Sequence, residues 1–206
     1  MVQARTRRAE QAAETRSLLV RAARELFGEH GYAGASMDEI AERVGVTTGG
    51  VYHHFADKRE LFRAVYEEIE RELAEAIIRG IQARAGEKGN AWEQVRAGAQ
   101  AFLDACLDPG VQHVILVEAP SVLGWDSRRD IARYGLGLIR QGLERSIKQG
   151  LIEPQPVEPL AHLLRAALTE GGMLLARADD QNAAREEIGA AVDRLIEGLK
   201  CSQRSG

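Results

Sequence analysis

Residues suited to direct chemical contact cluster between positions 36 and 55 of this sequence. Ser36 stands three residues before Glu39, which is the spacing of a capping box at the start of a helix. Gly45 can end that helix, and Thr47 is a favoured N-cap type for a second short helix. A short helix, a tight turn and another short helix are typical of a helix-turn-helix, in which the first residues of the second helix reach the base edges of DNA.

The beginning of the second helix carries the groups that contact DNA in this interpretation. Thr48 can bond to a base through its hydroxyl or contact a thymine methyl through its own methyl, and Gly49 permits close approach of the backbone. We predict that Tyr52 points outward, where its hydroxyl can reach a phosphate, because Val51 already occupies the inward position. The alternative for Tyr52 is a place in the core, which is more usual for an aromatic residue at helical spacing.

Basic residues flank this segment on both sides. Arg5, Arg7 and Arg8 give the N-terminus a local positive charge, and we expect them to form an irregular arm that adds a DNA contact. Lys58 can be a solvated surface residue. However, a lysine near the start of a helix opposes the helix dipole, which favours a functional role.

The chain as a whole has the composition of an ordinary globular protein. Its 206 residues are 45% hydrophobic, 28% charged and 5% aromatic, with a net charge of −4, so any DNA contact must come from a local basic feature. Cys106 and Cys201 form no Cys-x-x-Cys pattern, and no apolar run is long enough for a signal peptide or a membrane span. These features predict a soluble, cytoplasmic protein without a membrane partner.

Apolar residues recur at three-to-four-residue spacing along almost the whole chain, which predicts an all-α fold of about nine helices. Gly31 can end the first helix, and Asp57 with Glu60 repeats the capping pattern for a fourth helix. Later helices are expected near residues 91–107, 111–123, 127–149, 159–178 and 183–199. We predict a three-helix DNA-binding domain with its basic arm over residues 1–62 and a helical regulatory domain over residues 63–206.

Several segments in fixed order resemble the DNA-binding domain of the TetR/AcrR family of regulators, over about residues 16 to 62. The segments that carry the resemblance are Phe27-Gly28-Glu29-His30-Gly31-Tyr32, Ser36-Met37-Asp38-Glu39-Ile40-Ala41, Gly45-Val46-Thr47-Thr48-Gly49-Gly50-Val51-Tyr52-His53-His54-Phe55 and Lys58-Arg59-Glu60-Leu61. The resemblance implies an all-α homodimer with a ligand-binding C-terminal domain, usually a repressor released by a small molecule. The sequence departs from the family at Gly50, where the family more often has a side chain.

The resemblance also implies, by position, which residues contact DNA. The residues that fall on DNA-contacting positions of the family are Thr47, Thr48, Gly49, Tyr52 and His53. Lys58 falls where the family contacts a phosphate, and Ser36 falls at a position that contacts the DNA backbone.

The C-terminal half resembles the family only in general form, as a helical body that holds a ligand. Binding pockets are mostly apolar with a few polar anchors, so ring-bearing residues and one acid of the middle segment are candidate ligand contacts. These candidates are Trp92, Phe102, His113, Glu118, Trp125 and Tyr134. Each is more often an ordinary packing or surface residue. Glu118 suits a cationic or hydroxyl-bearing ligand, whereas Arg128, Arg129, Arg133 and Arg140 suit an acidic one, and the sequence leaves both open.

We therefore expect a homodimeric repressor that binds a palindromic operator in double-stranded DNA and is released by an unidentified small-molecule effector. The last two helices can form the dimer interface, although packing within one chain also explains their apolar faces. The alternative is a similar regulator controlled by a protein partner, with no small-molecule pocket. An internal cavity between residues 61 and 178 discriminates between these hypotheses.

An enzyme is poorly supported by the sequence. It has no nucleophile elbow, phosphate-binding glycine loop or metal-ligand spacing. His53 and His54 are adjacent and so point in different directions on a helix, which does not suit a shared metal. We predict no catalytic residues, no metal and no cofactor.

Overall fold

The structure is a computed structural model that describes residues 2–86, 88–124 and 133–200. Within those ranges the chain forms nine helices, which confirms the predicted all-α fold with a helix-turn-helix near its N-terminus. The helices are α1 (Val2–Gly34), α2 (Met37–Val44), α3 (Thr48–His54), α4 (Lys58–Ala85), α5 (Ala91–Ala105), α6 (Val111–Glu118), α7 (Arg133–Lys148), α8 (Val157–Ala176) and α9 (Gln181–Glu197). α6 is a π-helix that continues as an α-helix through residue 124.

α1 is longer than the sequence predicts, and it is broken near its end. Helical backbone begins at Val2, so the expectation of an irregular N-terminal arm is wrong. Alanine, glutamine, arginine and glutamate dominate this segment, and all four have high intrinsic helix propensity. At Gly31 the backbone turns to φ 71° and ψ 170°, a conformation that residues with a Cβ rarely adopt. One further turn then ends at Gly34.

The predicted caps of the helix-turn-helix are confirmed. Ser36 and Glu39 form a capping box at the start of α2, and Gly45 ends that helix in the left-handed conformation. The Thr47 hydroxyl accepts a hydrogen bond from the amide of Gly50 at 3.1 Å. These local rules fix the angle at which α3 leaves the turn.

The three N-terminal helices pack around a hydrophobic core that α4 and α6 complete. Its largest fully buried side chains include Leu19, Phe27, Ile40, Phe55, Leu61 and Phe62. The rings of Phe27, Tyr32 and Phe62 lie 5.2–5.8 Å apart between centroids, in tilted and edge-to-face contacts. α6 adds Val114 and Leu123 to the same core, so the helix-turn-helix is packed directly against the helical body.

A second hydrophobic cluster holds α5, α7, α8 and α9 together. Its buried members include Trp92, Leu103, Leu143, Leu164, Val192 and Ile196. Phe102 and Ile188 are partly buried and pack against both clusters. α4 runs without a break through the predicted domain boundary at residue 62, so this boundary stays a prediction.

Candidate DNA-binding surface and internal cavity

α3 has one buried face and one exposed face. Val51 is fully buried and Phe55, which caps the helix, is 1% exposed, so these two residues anchor it to the core. Thr47, Gly49, Tyr52 and His53 are exposed. The outward position predicted for Tyr52 is confirmed, since the residue is 52% exposed. The candidate DNA contacts on α3 therefore lie on a common accessible surface.

Gly49 is not required by packing within the chain. A Cβ placed there would meet only the Thr47 hydroxyl oxygen, at 3.9 Å, which is an ordinary van der Waals contact. A glycine at an exposed helical position costs about 1 kcal/mol relative to alanine. Its use on this face fits close approach to another molecule.

Thr48 is already oriented by the preceding helix. Its hydroxyl donates a hydrogen bond to Oδ1 of Asp38 at 2.6 Å. Because the proton points to α2, the oxygen can act only as an acceptor toward any other group while this bond is intact.

Ser36 is engaged in its capping box. Oε2 of Glu39 accepts hydrogen bonds from the Ser36 amide at 2.8 Å and the Ser36 hydroxyl at 2.9 Å. These bonds favour the charged carboxylate and lower the pKa of Glu39 below its ordinary value. The side chain that the sequence assigns to the DNA backbone thus also fixes the start of α2.

Lys58 ties the start of α4 to the end of α1. Its ammonium donates to the carbonyl oxygens of Tyr32 at 2.7 Å and Ala35 at 2.9 Å, and it lies 4.5 Å from the centroid of the Tyr32 ring. An ammonium has three donors, so one N–H remains for a phosphate. The sequence could not predict these partners, because they are more than twenty residues away.

Arg16 is a basic residue near α3 that the sequence analysis missed. Its guanidinium lies 4.8 Å from the centroid of the Phe55 ring, a cation–π contact at the end of α3. Arg7, which is nearer the N-terminus of α1, is also exposed. These positive charges lie outside the helix-turn-helix itself, and only the tertiary contact with Phe55 reveals where Arg16 sits.

The helical body contains an internal cavity of about 120 Å³. Its walls are mainly aliphatic side chains of α4, α5, α7 and α8, completed by Ile115 and Leu116 of α6 and Ile196 of α9. Its polar lining residues are Tyr66, Glu70, Gln94, Arg145, Arg165 and Thr169. Glu70 is 8% exposed and accepts a hydrogen bond from the Tyr66 hydroxyl at 3.0 Å.

Of the predicted ligand contacts, the structure brings Phe102 to the cavity. Trp92 lies in the second hydrophobic cluster instead, and His113 and Glu118 lie on the side of α6 that faces α1. These three do not line the cavity as the structure describes it. Trp125 lies outside the described residues, and so does the side chain of Tyr134.

The sequence analysis missed Glu70 and Arg165, although both leave a sequence pattern. Glu70 follows Ile69 in the apolar stripe of α4 and stands four residues after Tyr66, so an acid occupies an inward position with a hydroxyl one turn away. Arg165 follows Leu163 and Leu164 within the most apolar part of α8. A charged residue on an apolar helical face is the pattern that could have identified both.

Glu118 connects α6 to the kink in α1, and we call this contact the junction. Its Oε1 accepts a hydrogen bond from the Tyr32 amide at 2.6 Å and lies 3.6 Å from Nε2 of His113. A Cβ on Gly31 would lie 2.8 Å from the same oxygen, so the glycine makes room for the carboxylate. Arg59 adds to the junction by donating to the carbonyl oxygens of Val122 and Leu123, each at 3.0 Å.

The part of the chain that the structure describes contains no group of three or more histidine, cysteine, aspartate or glutamate residues placed to hold a metal ion. No helix in those ranges is both long and apolar enough to cross a membrane.

A capped helix-turn-helix with an exposed second helix, joined to a helical body with an internal cavity, defines the class of helix-turn-helix regulators. Two family models match the chain. The model described as "Bacterial regulatory proteins, tetR family" matches residues 19–65, and "Tetracyclin repressor-like, C-terminal domain" matches residues 92–199, which is more than half of the chain. The chain belongs to the TetR family. It is a DNA-binding transcriptional regulator of that family, which is not a family of enzymes.

Solved structures and curated relatives are similar to the chain to different extents. A TetR-family regulator from Pectobacterium atrosepticum is 33% identical with a TM-score of 0.79, covering 95% of this chain and 98% of that one. FadR from Bacillus subtilis, solved in complex with stearoyl-CoA, is 19% identical with a TM-score of 0.70, covering 90% and 97%, which shows the fold alone. The Tn10 TetC protein of Escherichia coli is 28% identical over 147 residues, 71% of this chain and 72% of TetC.

The transcriptional repressor AcnR of Corynebacterium diphtheriae illustrates a more local similarity. It is 40% identical over 62 residues, which is 30% of this chain, and the chain spans only 33% of the length of AcnR. A match of this extent concerns about one domain and not the whole protein.

Proposed function

We propose that this TetR-family regulator is a homodimeric, cytoplasmic repressor that a small molecule releases from a palindromic operator. In this proposal residues 1–62 bind DNA and residues 63–206 bind the effector and the second subunit. The internal cavity carries the proposal, because an apolar space with a few polar groups in its walls is how proteins hold small ligands. Its presence favours small-molecule control over control by a protein partner. The complex of FadR with stearoyl-CoA is consistent with ligand binding in this fold.

The exposed face of α3 and its flanking caps form the DNA contact surface in this proposal. The residues that we assign to it are Ser36, Thr47, Thr48, Gly49, Tyr52, His53 and Lys58. With its proton on Asp38, Thr48 presents an oxygen acceptor, which suits the exocyclic amino group of adenine or cytosine in the major groove. The third N–H of Lys58 suits a phosphate, and Arg16 adds charge beside α3.

Exposed leucines on the last two helices support the proposed dimer. Leu163 is 68% exposed and Leu174 is 52% exposed on α8, and Leu195 is 53% exposed on α9. Large apolar residues exposed on neighbouring helices are typical of an interface. A two-fold dimer that buries them presents two copies of α3 to a palindromic site.

α6 provides the route from the cavity to the DNA surface in this mechanism. Ile115 and Leu116 line the cavity, while Glu118 on the same helix holds the Tyr32 amide and, through it, the end of α1. π-helical segments of this kind occur frequently at functional sites. A ligand that changes the position of α6 changes the position of α1 to α3. It can shift the equilibrium only by its differential affinity for the two arrangements.

The test is selection of bound DNA from a random pool by the full chain, followed by affinity measurements on the selected site with and without candidate effectors. A palindromic site, a dimer on DNA and weaker binding at saturating effector are the expected results. The variant Leu163→Glu tests the dimer. It should give monomers in light scattering and lose the preference for a palindromic site without changing the fold. An effector that binds the protein but leaves its DNA affinity unchanged contradicts release by ligand.

A further inference from the structure

One polar group in the cavity wall has no partner. Arg165 lines the cavity from α8, and its Nε is buried without a hydrogen-bond acceptor in the part of the chain that the structure describes. Those residues also supply no carboxylate within 4.0 Å of its guanidinium. Arg185, in contrast, is paired with Asp104 at 2.7 Å in the same helical body.

The buried Nε of Arg165 requires an acceptor from elsewhere, although the residue as a whole is only partly buried. Arginine does not lose its proton in proteins, so it cannot relieve the cost of burial by becoming neutral. A buried donor without an acceptor costs about 1–3 kcal/mol, and more when it is charged. The group that matches the planar fork of a guanidinium best is a carboxylate, which accepts two parallel N–H bonds.

The remaining polar groups of the cavity favour an anion over a cation. Glu70 is the acid in the lining, and it already accepts the Tyr66 hydroxyl, so it is not an unsatisfied site for a ligand cation. Arg145 is a second arginine in the lining. It is exposed, and its Nε donates only to the carbonyl of Gln141 at 3.3 Å. Among the described lining residues, two arginines stand against one glutamate, which gives this part of the lining a positive charge.

The size of the cavity limits the rest of the ligand. Its volume is about 120 Å³, and an apolar cavity of about 150 Å³ in another protein binds benzene. We propose that the cavity binds a small apolar carboxylate, about the size of one aromatic ring, whose carboxylate pairs with Arg165. This proposal rests on the cavity being the effector site of the proposed function.

The experiment is calorimetric titration of the full chain with benzoate, benzamide and benzylamine, which share one ring and differ in charge. We expect benzoate to bind at least tenfold more tightly than benzamide, and benzylamine not to bind. Arg165→Gln should weaken benzoate at least tenfold and leave benzamide unchanged. The matched control is Arg79→Gln on an exposed part of α4 outside the cavity, which should change neither affinity. Thermal unfolding of each variant shows that it is folded.

Several results overturn the proposal. Equal affinity for the three probes, a preference for benzylamine, or no binding of benzoate each exclude a carboxylate site of this size. A benzoate affinity that is the same in Arg165→Gln excludes Arg165 as the recognition group. These failures are distinct from failure of the proposed function. If benzoate binds through Arg165 but leaves DNA affinity unchanged, the site stands and release by ligand fails.

Discussion

The proposed DNA surface and the cavity differ in how their polar groups are held. Ser36, Thr48 and Lys58, which we assign to the proposed DNA surface, each bond to a neighbouring helix or cap within the chain. In the cavity, Glu70 has a partner, but the Nε of Arg165 has none among the described residues. The polar groups of the proposed DNA surface are thus held in place within the chain, whereas the cavity keeps one strong donor unsatisfied among the described residues.

The two regions therefore select their partners in different ways, one for a DNA sequence and the other for a small ligand. Preorganised donors and acceptors lose little conformational entropy on binding, which favours selection of one DNA sequence over others. An unsatisfied buried donor instead makes the empty state costly, so a ligand with the right acceptor gains more than one without it.

The largest expected effect is a loss of folding stability. It should be greater in the closely packed core beside the proposed DNA surface than beside the cavity. Phe62 is fully buried between the rings of Phe27 and Tyr32, and Phe62→Ala should lower the free energy of unfolding by about 3–5 kcal/mol. Phe102→Ala should cost clearly less, because Phe102 already borders empty space. Urea denaturation followed by circular dichroism measures both values. Equal costs would mean that the two regions are equally well packed.

The next effect concerns the junction that connects the two regions. Glu118→Ala removes the acceptor of the Tyr32 amide and should lower the free energy of unfolding by about 1–3 kcal/mol. It should also speed hydrogen exchange at that amide, measured by nuclear magnetic resonance. Glu118→Gln keeps a carbonyl oxygen and should retain most of the protection, and Glu144→Ala on the exposed face of α7 serves as the control. If Gln and Ala behave alike, the charge and not the hydrogen bond holds the junction.

At the DNA surface, Lys58→Gln and Thr48→Ala should have different consequences. Lys58→Gln should weaken binding to all DNA sequences alike and lower the slope of affinity against salt by about 1. Thr48→Ala should leave that slope unchanged and alter base preference at one position of each half-site. Fluorescence anisotropy on the selected site and on single-base variants measures both quantities. A Lys58 variant that loses specificity but keeps its salt dependence reverses the two assignments.

The smallest effect is pH-dependent and tests the capping box. The pKa of Glu39 is lowered by the Ser36 hydrogen bonds, so their stabilisation is present above the unfolded pKa and is lost as the pH falls through the folded pKa. Ser36→Ala should cost about 1 kcal/mol at neutral pH, shift the Glu39 pKa back up and remove this loss at acid pH. A carboxyl titration by nuclear magnetic resonance, with denaturation at several pH values, measures the change. An unshifted Glu39 pKa in the variant rules out Ser36 as its cause.

The sequence predicted the parts of the molecule that depend on neighbouring residues. The capping box at Ser36, the N-cap at Thr47 and the outward Tyr52 follow from spacing within one or two turns, and the structure confirms them. The prediction of an irregular N-terminal arm was wrong, because the high helix propensity of that segment extends α1 to Val2.

The cavity could not be predicted in the same way, because it depends on which faces of distant helices meet. Glu118 was predicted as a ligand contact at the end of an apolar run, but its carboxylate accepts the amide of Tyr32, a residue 86 positions away in the sequence. Arg165 stands on an apolar helical face, which makes it unusual in the sequence, but only the packing of α8 shows that it lines the cavity. Spacing within one helix does not show which distant helices a residue meets.

Phe102 and Ile188 contact both hydrophobic clusters, and this has a consequence for how the protein unfolds. Two cores that share side chains cannot melt independently, since loss of either removes packing from the other. Calorimetry of the full chain should therefore show one cooperative transition. A ligand bound in the body then raises the melting temperature of the helix-turn-helix as well, by mass action on a single folding equilibrium.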